Sequence, residues 1–130
     1  MTDPVEEPPP AAAAVFGAHF DLAVRYAEFL RTTAVERGLV GPREADRIWR
    51  RHLLNSAALA LELPERPVDV VDVGSGAGLP GIPVWLVRPD IQLRLVESMQ
   101  RRVGFLREVV AALDVPVDVV HARAESLPRR

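Results

Sequence analysis

From Phe16 onward, apolar residues recur every three or four positions: Phe16, Phe20, Ala23, Ala27, Leu30 and Ala34 form one stripe, which predicts an amphipathic helix. Gly38, Gly41 and Pro42 interrupt it. A second helix is predicted from about Arg43 to Leu61, with Ala45, Ile48, Trp49, His52, Leu53, Ser56 and Ala60 on its inward side and Pro64 and Pro67 closing it. From Val68 the period shortens. VDVVDV reads as a buried parallel strand, GIPVWLV as a short helix and IQLRLVE as a second strand ending in Glu97. SMQRRVGFLREVVAAL then predicts a helix with Ser98 as its N-cap and Val103, Leu106, Val110 and Leu113 buried. VDVVHA is the third strand.

Two helices followed by β-α-β-α-β predict a Rossmann-like α/β fold, a partial open parallel sheet with right-handed crossovers behind an α-helical N-terminal extension. The expected division is a disordered tail over 1–14, the helical extension over 15–63, and the first half of a Rossmann-like domain over 64–130. The tail is proline, acid and alanine with little apolar patterning. Three strands make half of a doubly wound sheet, so the first strand is expected to carry an unpaired apolar edge and the chain to self-associate.

Composition narrows the chemistry. The chain has 130 residues, no cysteine and a formal net charge of −2, so disulfides and thiolate catalysis are excluded and a wholly basic surface is not expected. His19, His52 and His121 lack metal-site spacing, and no metal is expected. The N-terminus lacks a basic segment followed by an apolar core, and no apolar run reaches membrane-spanning length, so a cytoplasmic protein without a membrane partner is expected. All 16 basic residues are arginine, a side chain suited to phosphate contacts and base stacking.

The candidate chemistry lies in VVDVGSGAGLPGIPVWLV, residues 70–87. Gly74, Gly76 and Gly78 form an alternate-glycine run, whereas Gly76, Gly78 and Gly81 spell G-x-G-x-x-G. The first spacing suggests S-adenosylmethionine, the second a dinucleotide. The loop joins a strand to a helix, where open α/β sheets bind ligands. Glu97, twenty-one residues after Gly76, can accept ribose hydroxyls from either cofactor. Asp72 can order the loop. Pro80 and Pro83 remove two N–H donors from the helix start, where a dinucleotide would rest its pyrophosphate. That favours S-adenosylmethionine, which carries no phosphate.

DVGSGAGLPGIP, then LVES followed by RRVGFLREV, then ARAE, preceded by WRRHLLNS, resembles the bacterial 16S ribosomal RNA guanine-N7 methyltransferase family, also called the glucose-inhibited division protein B family, over roughly residues 16–127. The resemblance implies an S-adenosylmethionine-dependent methyltransferase acting on RNA of the small ribosomal subunit. It implies cofactor contacts from Gly74 and Leu79 in the loop, from Glu97, and from Ala124 with Glu125 flanking the adenine; Ser75, Gly76 and Gly78 of the glycine loop are expected to bind the cofactor with them. The chain departs from the family where H-x-x-D-S is replaced by His52, Asn55 and Ser56, and where RGLVGPRE stands in place of an N-L-T stretch.

Guanine N7 carries a free lone pair, so orientation is the catalytic task and no general base is assigned. Arg47, Arg50, Arg51, Arg101, Arg102 and Arg107 are open between RNA contacts and ordinary solvated helix faces. Trp49 and His52 are read as packing residues. A cofactor-binding fragment without turnover and a nucleotide-dependent oxidoreductase stand as alternatives.

Overall fold

The computed structural model describes residues 6–127. The strands β1 (Asp69–Val73), β2 (Gln92–Glu97) and β3 (Asp118–His121) form one parallel sheet in the order β1-β2-β3. Helix α6 (Gly81–Val87) and helix α7 (Gln100–Leu113) are the crossovers. The register sets Val73 opposite Val96 and Glu97 opposite His121, so the three strands end side by side. This is the β-α-β-α-β arrangement that the patterning predicts.

Strand alternation separates two faces. Val70, Leu93, Leu95 and Val119 join the hydrophobic core with α6 and α7. Val71 and Val73 turn the other way and stay 47% and 51% exposed. With Arg94, Asp118 and Leu127 they line an open trough of about 460 Å³ on that face. No strand among the described residues pairs with the outer edge of β1.

Upstream lie α1 (Pro10–Phe16), α2 (Phe20–Arg31), α3 (Thr33–Glu36), α4 (Pro42–Ala45) and α5 (Leu54–Ala58). α1, α2 and α5 pack on α6, α2 also reaches α7, and α3 and α4 pack on α2. Phe16, Ala23, Ala27, Leu30 and Ala34 of the predicted stripe are buried, and Phe20 is half-buried against the same core.

Four local expectations change. Residues 10–14 are helical rather than disordered, because Ala12 is fully buried in the core. Residues 1–5 of the predicted tail lie outside the described residues. The predicted helix 43–61 is not one regular α-helix: Ile48–Leu53 winds wider, and Leu59–Glu62 winds tighter, than α5 between them. The first amides of the wide stretch are met from far upstream, where the Glu6 carboxylate accepts those of Trp49 at 2.9 Å and Arg50 at 3.4 Å. Met99, not Ser98, takes the N-cap position of α7, and its amide donates to Glu97 Oε2 at 2.9 Å. Val109 is buried on α7 where Val110 was expected, and Val110 is half-buried.

Candidate functional site

The carboxyl ends of all three strands meet at one edge of the sheet. There Val73, Gly74, Val96, Ser98, Ala122, Arg123, Ala124 and Glu125 line a cleft of about 460 Å³. The sheet register brings Gly74 beside Ala124 and Glu125, fifty residues later. His121 Nε2 lies 2.9 Å from the Ser98 carbonyl, and the Ala122 amide donates to the Glu97 carbonyl at 3.1 Å. The ends of β2 and β3 are thereby tied together at the rim.

The four glycines divide into two pairs. A Cβ added at Gly74 or Gly76 would meet nothing within 4 Å, so their backbone is open to a ligand. A Cβ at Gly78 would lie 2.5 Å from Ile82 Cδ1 and 2.9 Å from the Tyr26 hydroxyl, and one at Gly81 would lie 2.7 Å from both Asp72 Oδ2 and Leu95 Cδ2. Gly78 and Gly81 are glycine because protein, not ligand, fills their space. Ser75 also turns inward: it is 1% exposed and donates its hydroxyl to the Asp72 carbonyl at 2.8 Å. Leu79 packs partly buried against the core.

Glu97 lies beneath this loop with 3% exposure. Oε1 accepts the Gly76 amide at 2.9 Å, while Oε2 accepts Met99. Arg102 Nη1 stands 3.9 Å from Oε1. Burial pushes this carboxyl's pKa up, but the amides of Met99, Gly76 and Ser98 and the charge of Arg102 outweigh it and hold the group below its ordinary value. Each oxygen keeps capacity for another donor.

Asp72 Oδ2 accepts the Gly81 amide at 3.1 Å. Burial raises its pKa, and hydrogen bonds from Gly81 and Ser75 offset part of that rise. The rest of the first turn of α6 is committed too: Ile82 donates to Gly78 and Val84 to Pro80, at 2.8 and 3.2 Å, and Pro83 has no N–H. Every amide from Gly81 to Val84 is spent inside the protein. This start of α6 offers a pyrophosphate no donor.

Sequence reasoning missed Tyr26. It is fully buried on α2, and its hydroxyl donates to the Ala77 carbonyl, in the middle of the loop, at 2.7 Å. Burial and then the nearby Asp72 charge push the phenol's pKa well above its ordinary value, so it remains a donor. It is the chain's only tyrosine, and a buried tyrosine needs a partner for its hydroxyl; that was the available signal.

The arginines are spread over two faces. Arg47, Arg50, Arg101 and Arg107 are exposed, whereas Arg51 Nε stands 3.7 Å from Glu44 and Arg102 leans toward Glu97. Trp49 is buried against the rings of Phe16 and Phe20, and His52 pairs with Glu44 at 2.7 Å. Among the described residues no three His, Cys, Asp or Glu side chains gather as metal ligands, and no helix is long and apolar enough to cross a membrane.

Residues 20–130 match the family model GidB, described as rRNA small subunit methyltransferase G. The ribosomal RNA small subunit methyltransferase G of Mycobacterium sp. (strain JLS) is 64% identical over 118 residues, covering 91% of this chain and 52% of that protein. Its namesake in Mycobacterium marinum (strain ATCC BAA-535 / M) is 55% identical over 125 residues, 96% of this chain and 53% of that one. The chain spans about half the length of the curated relatives it matches. Among solved structures, the precorrin-6y C5,15-methyltransferase from Geobacter metallireducens GS-15 superposes with a TM-score of 0.49 and 21% identity, over 69% of this chain and 46% of that one.

Proposed function

The chain belongs to the GidB family, rRNA small subunit methyltransferase G, and from that membership we propose that the protein transfers a methyl group from S-adenosylmethionine to N7 of a guanine in the 16S RNA of the small ribosomal subunit. The observation that carries this reading is the cleft at the strand ends where Gly74, Ala124 and Glu125 meet. The donor set fits the cofactor: the backbone is open at Gly74 and Gly76, and the committed amides of α6 are no loss to a molecule without phosphate.

When bound, S-adenosylmethionine supplies an activated methyl group on a positively charged sulfur. In this reading Gly74 and Gly76 give the methionine end a close approach to the backbone. Glu97 accepts the ribose hydroxyls with the capacity its amide bonds leave free, and Ala124 and Glu125 flank the adenine. Ser75, Gly78 and Leu79 support the loop from behind. Guanine N7 already holds its lone pair, so these residues act by orientation and none is assigned as a general base. Arg47, Arg50 and Arg51 on one face, and Arg101, Arg102 and Arg107 on another, are the candidates for phosphate contact with the RNA. A ribosomal substrate makes the cytoplasm the site of action.

The test is transfer of labelled methyl from S-adenosylmethionine to purified small ribosomal subunits, with the label mapped to guanine N7. Unlabelled subunits would overturn the proposal for the protein assayed. Calorimetry with adenosylhomocysteine and NAD separates binding from turnover for this chain, which spans about half the length of its relatives. Binding of adenosylhomocysteine without transfer would mark a cofactor-binding unit. Binding of NAD alone would favour an oxidoreductase.

A further inference from the structure

We infer that Tyr26 is a positioning residue for the cofactor loop, through which the N-terminal helical extension sets the affinity for the adenosyl cofactor. The inference rests on the cofactor reading above. Tyr26 reaches the loop from α2, an element that lines no part of the cleft. Its hydroxyl makes two contacts there. It donates to the Ala77 carbonyl at 2.7 Å, and it fills the space above Gly78, where an added Cβ would lie 2.9 Å away.

Ala77 follows Gly76, whose amide donates to Glu97 Oε1 at 2.9 Å. Fixing the Ala77 carbonyl therefore fixes the second peptide along from the Gly76 amide, and so restrains the loop where it meets the carboxylate. Gly76 and Gly78 both have positive φ, 57° and 98°, so this stretch lacks the side-chain sterics that hold an ordinary turn. One bond within the loop, from the Gly78 amide to the Ser75 carbonyl at 2.7 Å, leaves the Ala77 carbonyl to be held from outside. Tyr26 holds it from the hydrophobic core, and Asp72, holding the Gly81 amide, supplies the second anchor at the loop's far end.

Removing the hydroxyl while keeping the ring isolates this effect. Tyr26→Phe is expected to weaken adenosylhomocysteine binding about ten-fold, the scale of one buried hydrogen bond, and to speed amide exchange at Gly76–Gly78. Ile48→Val, which trims a fully buried side chain elsewhere in the extension, controls for lost stability and is expected to change affinity less than about two-fold. Both are measured by calorimetry on the full chain, well below each variant's unfolding transition. Because Tyr26 is the only tyrosine, 3-fluorotyrosine labelling gives one ¹⁹F resonance, expected to move on saturation with adenosylhomocysteine. That measurement decides the matter if the Phe variant does not fold. Unchanged affinity in Tyr26→Phe, or a resonance that ignores saturating ligand, overturns the inference alone. Failure of the unsubstituted chain to bind adenosylhomocysteine overturns the cofactor reading and this inference with it.

Discussion

Gly74 and Gly78 provide a matched pair for testing which loop positions face a ligand and which face the protein. Both have positive φ, 75° and 98°, so alanine at either site carries the left-handed backbone cost of roughly 1–2 kcal/mol. They differ in space. The new methyl at residue 74 meets nothing within 4 Å, whereas at residue 78 it falls 2.5 Å from Ile82 Cδ1 and 2.9 Å from the Tyr26 hydroxyl. Neither neighbour yields freely, because Ile82 is buried and the hydroxyl is bonded to Ala77. Overpacking of this kind adds about 1–3 kcal/mol. Urea unfolding should therefore show Gly74→Ala destabilised by about 1–2 kcal/mol and Gly78→Ala by about 2–5 kcal/mol. Calorimetry with adenosylhomocysteine should show the larger loss of affinity in Gly74→Ala, whose methyl enters the cleft. Equal destabilisation of the two variants would refute the division of the glycines into outward and inward pairs.

Three other outcomes are expected. Glu97 has a folded-state pKa below its unfolded value, so its stabilising contribution is present above the unfolded value of 4.5 and lost as pH falls through the lower, folded one. Glu97→Gln should flatten the acid limb of stability against pH and, by leaving an amide unmet, cost about 1–3 kcal/mol at neutral pH. Asp72 behaves oppositely: its raised pKa means that stability declines as pH climbs from the unfolded value through the folded one. Asp72→Asn should remove that decline; urea unfolding followed across that pH range checks it, and an unchanged decline would contradict it. Finally, the open sheet face with half-exposed Val71 and Val73 should drive concentration-dependent self-association. A monodisperse monomer by light scattering would count against it.

The order of strands and crossovers was legible because residue periodicity switches cleanly at Val68, and Val103, Leu106 and Leu113 are buried where their spacing puts them. What stayed hidden depends on remote partners or on direction. No local rule foretells that Glu6 will cap amides at Trp49 and Arg50. Glu97, preceding Ser98, takes the Met99 amide, so the expected hydroxyl cap does not form. Glycine spacing marks a tight loop without saying which glycines open outward; that depends on Tyr26 and Leu95 from other elements as well as on Asp72 and Ile82 at the loop's two ends. The prolines carried more information, since Pro83's missing N–H belongs to a first turn whose remaining amides are all committed.

The bond from Tyr26 to Ala77 joins residues fifty-one positions apart, and this has a consequence for the order of folding. A contact of that sequence separation forms only after the entropy of closing a long stretch of chain has been met. Until the upstream helices dock, the glycine loop is without this restraint from the core. A fully restrained loop therefore needs that docking as well as the sheet. Ligand present during refolding would favour chains that have completed it by mass action. In that sense affinity doubles as a gauge of whether the two halves of the chain have come together.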